Sequence, residues 1–194
     1  MPIKAWIGND IVDLNDPQAQ GKENNLAFLS RVFSSAEQRL ISESSAPHVM
    51  LWTLWSIKEA SFKAAQKLLS DIRFIPKKFL CEIVEAKSAQ WHCCYSSACF
   101  NVQVTTTNDY VHAVAVNEAS FFVSAVLLEK CEENASNAVR VLALRLLAEL
   151  GVLADAVRHK PPRFYRNETE IEDWDVSLSH DGRFIAGAVL GNRL

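Results

Sequence analysis

Two acids and a lysine carry the first chemical signal. Asp10 sits in Trp6-Ile7-Gly8-Asn9-Asp10-Ile11-Val12-Asp13-Leu14. Glu59 and Lys63 sit in Trp52-Thr53-Leu54-Trp55-Ser56-Ile57-Lys58-Glu59-Ala60-Ser61-Phe62-Lys63-Ala64-Ala65. On a two-residue period Trp6, Gly8, Asp10, Val12 and Leu14 share a face, so Asp10 stands among apolar neighbours. On a 3.6-residue period Trp52, Trp55, Glu59, Phe62 and Gln66 fall along one side, which the aromatics mark as a core face. A carboxylate taken out of water costs free energy unless it is paired or metal-bound. One reading is therefore structural. Lys63 stands one turn after Glu59, where a helical ion pair forms, and Asp10 caps the loop after its strand. The other reading is a divalent cation shared by the two acids. Oxygen donors with no His or Cys partner favour magnesium or calcium.

The elements that must hold these groups follow from the pattern. Residues 5–14 read as a strand. The stretch 52–65 reads as one helix, rich in Ala, Lys and Glu with no Pro or Gly inside it. Between them lie a polar loop (15–25) and a helical segment (26–40) broken at Ser34-Ser35, with Ser34 and Glu37 at capping-box spacing. A turn-rich link, 42–47, leads into the central helix. Pro76 argues against a central strand near 71–79, and Lys77-Lys78 belongs to a surface turn. Short antiparallel strands follow at 80–84, 91–95, 100–104 and 110–116.

The pattern then starts again. Residues 120–128 read as a strand, and 134–150 as a helix with Val139, Leu142, Leu146 and Leu150 on one side and Gly151 to stop it. A hairpin closes the chain: 176–180, a turn at Asp181-Gly182, then 183–190. Segments 104–116 and 176–189 look like copies of one hairpin. This implies a degenerate internal repeat, with a first half to about Glu118 and a second from Ala119.

Composition bounds the function classes. The 194 residues suit one large domain or two small halves. A hydrophobic share of 49% with 22% charged residues is ordinary for a globular protein. A net charge of -3 gives no electrostatic case for nucleic-acid binding. No apolar run has membrane-spanning length, and the first residues lack a signal-peptide core, so a cytoplasmic location is expected. The five cysteines (Cys81, Cys93, Cys94, Cys99 and Cys131) are irregularly spaced. They read as reduced residues of a β segment rather than as a zinc site.

A third motif is Val176-Ser177-Leu178-Ser179-His180-Asp181. Gly8-x-Asp10-Ile11-Val12, then Trp55-Ser56-x-Lys58-Glu59-Ala60-x-x-Lys63, then Ser177-x-Ser179-His180 together resemble the 4′-phosphopantetheinyl transferases. The Lys-Glu-Ala-x-x-Lys helix is the most specific of the three. The resemblance implies an α+β fold: a pseudo-dimer of two α+β halves with antiparallel sheets. Residues 1–118 would carry the metal-binding acids and 119–194 the Ser-His motif, with the site between them. The length is that of the fused class, but the motif order follows the short class, as halves fused in exchanged order would give.

The implied activity moves the 4′-phosphopantetheine arm of coenzyme A to a serine of an apo acyl or peptidyl carrier protein, releasing adenosine 3′,5′-bisphosphate. Asp10 and Glu59 match the family's Mg2+ ligands, and Lys63 matches its lysine beside the phosphates. Many long-class members have a third acid where Val12 stands, so a water takes that coordination place. Lys58 faces away from Glu59. Ser179 and His180 match the residues that hold coenzyme A phosphates. Lys160 and Arg163, in Arg158-His159-Lys160-Pro161-Pro162-Arg163, resemble the segment that contacts the nucleotide and its 3′-phosphate. An acidic carrier protein would dock on a patch near Arg31, and the fused chain would work as a monomer. The alternative is a catalytically silent homologue that binds coenzyme A or a carrier protein. The residues alone also allow an unrelated α+β protein whose acids make ordinary ion pairs.

Overall fold

The computed structural model of the protein describes residues 5–69, 71–85, 89–117, 122–131 and 134–192. Strand β1 (Ile7–Asp13) is buried along its whole length. Helices α1 (Leu26–Val32) and α2 (Ser35–Glu43) follow. Ser34 caps α2 by the expected box: its hydroxyl accepts from the Glu37 amide, and the Glu37 carboxylate accepts from the Ser34 amide. Helix α3 (Pro47–Leu68) opens on proline, whose fixed φ and missing N–H suit a first helical turn. Strands β2 (Leu80–Glu85), β3 (Gln90–Tyr95), β4 (Ala98–Thr106) and β5 (Tyr110–Val116) complete an antiparallel sheet in the order β1-β5-β4-β3-β2.

The rest of the chain builds its own sheets. Strand β6 (Phe122–Lys130) leads to helix α4 (Ala135–Glu149). A small sheet of β7 (Ala156–Arg158), β8 (Arg163–Arg166) and β9 (Thr169–Glu170) intervenes. Strands β10 (Trp174–Asp181) and β11 (Phe184–Asn192) pair in the order β10-β11-β6. The fold is α+β with antiparallel sheets. The series β1-β5-β4 with α3 and the series β6-β11-β10 with α4 run in the same order. The boundary expected at 118/119 lies outside the described residues.

Gly8 sets the central packing. A Cβ there would sit 1.9 Å from the Ala60 carbonyl oxygen, so only glycine lets β1 lie this close to α3. Asp10 is two residues on, on the same face of the strand, and therefore also meets α3.

Three details differ from the sequence reading. Leu51, Leu54, Ser56, Ile57, Lys58, Ala60, Ser61, Ala64 and Ala65 of α3 are fully buried, and of the expected core face Trp52 is buried, whereas Trp55, Glu59 and Phe62 are only half-buried. The aromatic side is a cleft wall, with Trp55 covered by the rings of Phe28 and Phe74. The last hairpin turns at Gly182-Arg183, one residue later than expected, because Asp181 still pairs with Phe184. Cys94 and Cys99 form a disulfide, in place of the expected free thiols. They are opposed partners flanking the β3–β4 turn, with Cα atoms 4.1 Å apart.

Candidate active site

The free edge of β1 is closed by side chains of β10. The amide of Ile7 donates to Asp175 Oδ2 (2.8 Å), that of Asn9 to Ser177 Oγ (2.8 Å), that of Ile11 to Ser179 Oγ (3.1 Å) and that of Asp13 to Asp181 Oδ2 (2.8 Å). Each donor and acceptor are 168 residues apart. Alternation explains the regularity. Positions 175, 177, 179 and 181 share one face of β10, and all four carry an oxygen that can accept.

Two lysines one turn apart on α3 rivet this seam. Lys67 donates to Ile7 O (2.6 Å), Asp175 Oδ2 (2.9 Å) and Val176 O (2.7 Å). Burial holds the pKa of Lys67 below the ordinary lysine value, against the charge of Asp175. Lys63 donates to Asn9 O (2.9 Å), Asp10 Oδ1 (2.9 Å) and Ser179 Oγ (3.2 Å). The Ser179 hydroxyl in turn donates to Asp10 Oδ1 at 3.0 Å. Behind the strand the Asn9 side-chain amide donates to Ala186 O (3.1 Å) and meets His112 Nε2 (3.3 Å). Ala186 O can only accept, so the Asn9 nitrogen points both ways and His112 Nε2 is the unprotonated acceptor.

A cavity of ≈ 640 Å³ opens over this seam. Along α3 its wall runs Trp52, Trp55, Glu59, Lys63, a span of about 16 Å at helical rise. Asp10, Ser179, His180 and Asp181 also line the cavity. The pKa of Glu59 is raised to about 7, first by burial and then by the charge of Asp10, with Lys63 opposing. Asp181 is also raised, by burial first and then by neighbouring acids that include Asp10. Four carboxyl groups line the cleft, Asp10, Asp16, Glu59 and Asp181, against two lysines, Lys22 and Lys63. Among the described residues no three His, Cys, Asp or Glu side chains gather into a ready metal cage.

A second cavity of ≈ 260 Å³ continues past Lys63 and His180. Lys67, Arg140 of α4, His159 and Lys160 also line it. The structure therefore brings Asp10, Glu59, Lys63, Ser179 and His180 together, with Lys160 at the adjoining cavity. Arg163 lines neither cavity. Its guanidinium lies 5.0 Å over the Trp6 ring and 3.7 Å from Glu170. Sequence reasoning missed Arg140, Lys67 and the β10 ladder. The ladder had a signal, the alternate oxygen-bearing residues of Asp175-Val176-Ser177-Leu178-Ser179-His180-Asp181. Arg140 had none, since nothing local points α4 at this cleft.

The motif lysine Lys58 stands elsewhere. It is wholly buried and donates to both Glu37 carboxylate oxygens (2.8 and 2.9 Å), to Pro76 O (3.1 Å) and to Phe79 O. Glu37 also accepts from the Cys81 amide (3.1 Å). This buried pair ties α2, α3 and the start of β2 together.

One acidic cleft between two antiparallel sheets, floored by a Lys-Glu helix, defines the class. A family model described as "4'-phosphopantetheinyl transferase superfamily" matches residues 7–115, and the chain belongs to that superfamily. The match includes Asp10, Glu59 and Lys63, while Lys160, Arg163, Ser179 and His180 lie beyond it. Among solved structures the chain is similar to the holo-[acyl-carrier-protein] synthase of Thermotoga maritima. The TM-score is 0.45 at 16% identity, covering 66% of this chain and 70% of that one. No curated protein matches the chain.

Proposed function

We propose that the chain transfers 4′-phosphopantetheine from coenzyme A to a serine of an apo acyl or peptidyl carrier protein. One observation carries the reading: Asp10, Glu59 and Lys63 share a cleft that runs past His180 into a cavity lined by Arg140, His159 and Lys160. The acids and the basic cavity suit the two ends of one reaction. The acceptor serine oxygen forms a bond to the β-phosphorus, and the bond from that phosphorus to the leaving phosphate breaks. The serine proton is released, and adenosine 3′,5′-bisphosphate departs with the bonding electrons. Negative charge builds on the leaving oxygen, where fixed cationic groups act best.

Asp10 and Glu59 would hold a magnesium ion. An all-oxygen pair with carboxylate charge in excess fits a hard cation that keeps several waters, and Val12 adds no third acid. When bound, Mg2+ would supply Lewis-acid neutralisation of phosphate charge. Lys63 holds Asp10 in place and brings positive charge to the reacting phosphates. His180, exposed at the junction of the two cavities, offers imidazole nitrogens to phosphate oxygens. Lys160 and Arg140 face the nucleotide end. Ser179 belongs to the same cleft, and Arg163 lies over the Trp6 ring outside both cavities. We read the two halves as a fused pair acting as a monomer, with Asp10, Glu59 and Lys63 from the first half and Ser179 and His180 from the second lining one cleft.

Intact-protein mass spectrometry tests the reading. With coenzyme A and magnesium, an apo carrier protein should gain one phosphopantetheine mass, and a chelator should abolish the gain. Glu59→Gln should lower turnover at least about 10²-fold while the fold persists. Coenzyme A binding with no transfer to any carrier would replace this reading with the silent homologue.

A further inference from the structure

Ser179 matches a residue that the family resemblance assigns to coenzyme A phosphate, yet its hydroxyl is already spent. A serine hydroxyl has one donor and two acceptor lone pairs. Ser179 donates to Asp10 Oδ1 (3.0 Å) and accepts from the Ile11 amide (3.1 Å) and from Lys63 Nζ (3.2 Å). That uses all three. The residue is also only 4% exposed. Lys63 is saturated in the same way, with three ammonium protons on Asn9 O, Asp10 Oδ1 and Ser179 Oγ. Serine, lysine and aspartate close a triangle in which each contacts the other two. Its serine comes from β10 and its other corners from β1 and α3.

We propose that Ser179 is a positioning residue: it fixes the Lys63–Asp10 pair across the seam and does not itself bind the substrate phosphate. His180, the next residue, is exposed and points to the other side of β10, so it can take the ligand contact. The inference rests on the transferase reading for its kinetic arm only.

The far end of the seam supplies the control. Arg183 donates to both Asp13 carboxylate oxygens (2.7 Å each), which ties the last hairpin to β1, and it lines neither cavity. Ser179→Ala should lower kcat about 10²-fold, with KM for coenzyme A changed by less than about twofold. Ser179→Thr, which keeps the hydroxyl, should restore most of the loss. Arg183→Ala should lower Tm by a similar amount to Ser179→Ala while kcat stays within about threefold. The second arm needs no activity. Side-chain 1H–15N spectra of lysine should show a protected Lys63 ammonium signal, assigned by its absence in Lys63→Met. It should vanish in Ser179→Ala, while the signals of buried Lys58 and Lys67 persist. If Ser179→Ala fails to fold, Ser179→Cys takes its place, since a thiol fills the site but hydrogen-bonds weakly.

A raised KM with kcat unchanged would overturn the inference and return Ser179 to ligand binding. Equal loss of kcat in Arg183→Ala and Ser179→Ala would overturn it in favour of general seam loosening. An unchanged Lys63 signal in Ser179→Ala would overturn it outright. If the wild-type chain modifies no carrier, the transferase reading fails separately, and the Lys63 signal alone decides the positioning role.

Discussion

His112 shows how far one buried residue feels the cleft. Its pKa falls to about 4, first because burial disfavours the imidazolium and then because Lys63 repels it. Unfolded, it titrates near 6.5. Between those values the unfolded chain binds the extra proton. Stability therefore falls as pH drops from about 6.5 to about 4 and levels off below, by about 3 kcal/mol for this residue. An NMR titration should find the His112 ring neutral down to about pH 4. Lys63→Met should raise that midpoint, and His112→Gln should flatten this part of the stability profile. Asp10, Glu59 and Lys63 were legible in the sequence as acids and a base on patterned faces. The neutral His112 and the spent hydroxyl of Ser179 were not, because both depend on groups far off in the sequence, Lys63 for His112 and Asp10 for Ser179.

At the scale of elements, two close contacts decide how α3 lies. Gly8→Ala would drive a methyl group into the Ala60 carbonyl. We expect it to destabilise the protein by about 3 kcal/mol or more, read by urea unfolding, with loss of carrier modification. Lys58→Met would leave Glu37 charged and buried without its cation, at a cost of about 3–5 kcal/mol. Lys58→Met combined with Glu37→Met should recover much of that loss in the same unfolding measurement, since neither charge then remains. Periodicity foretold α3 and most strands because local pattern governs them. It misjudged which side of α3 is deepest. A 3.6-residue period identifies an aromatic face but not whether that face meets a core or a cleft. Lys58, which the sequence places only on the side away from Glu59, is interior because Glu37 and two backbone carbonyls meet it there. The Cys94–Cys99 bond escaped for a similar reason, since it needs the β3–β4 register that composition does not state.

The whole molecule is held along one seam that joins the first strand to the last hairpin. Its four amide-to-side-chain bonds share one offset of 168 residues. That offset is also a delay. During synthesis β1 emerges long before β10, by roughly 10–30 s at ordinary translation rates. Throughout that interval the outer amides of β1 have no rungs to meet, and Asp10 and Lys63 lack Ser179. A ribosome-bound chain stopped before Trp174 should therefore present an unguarded strand edge, the kind of edge that recruits chaperones or other chains. The geometry of the cleft is then a late event in the life of each molecule, set only when the last hairpin closes over the first strand.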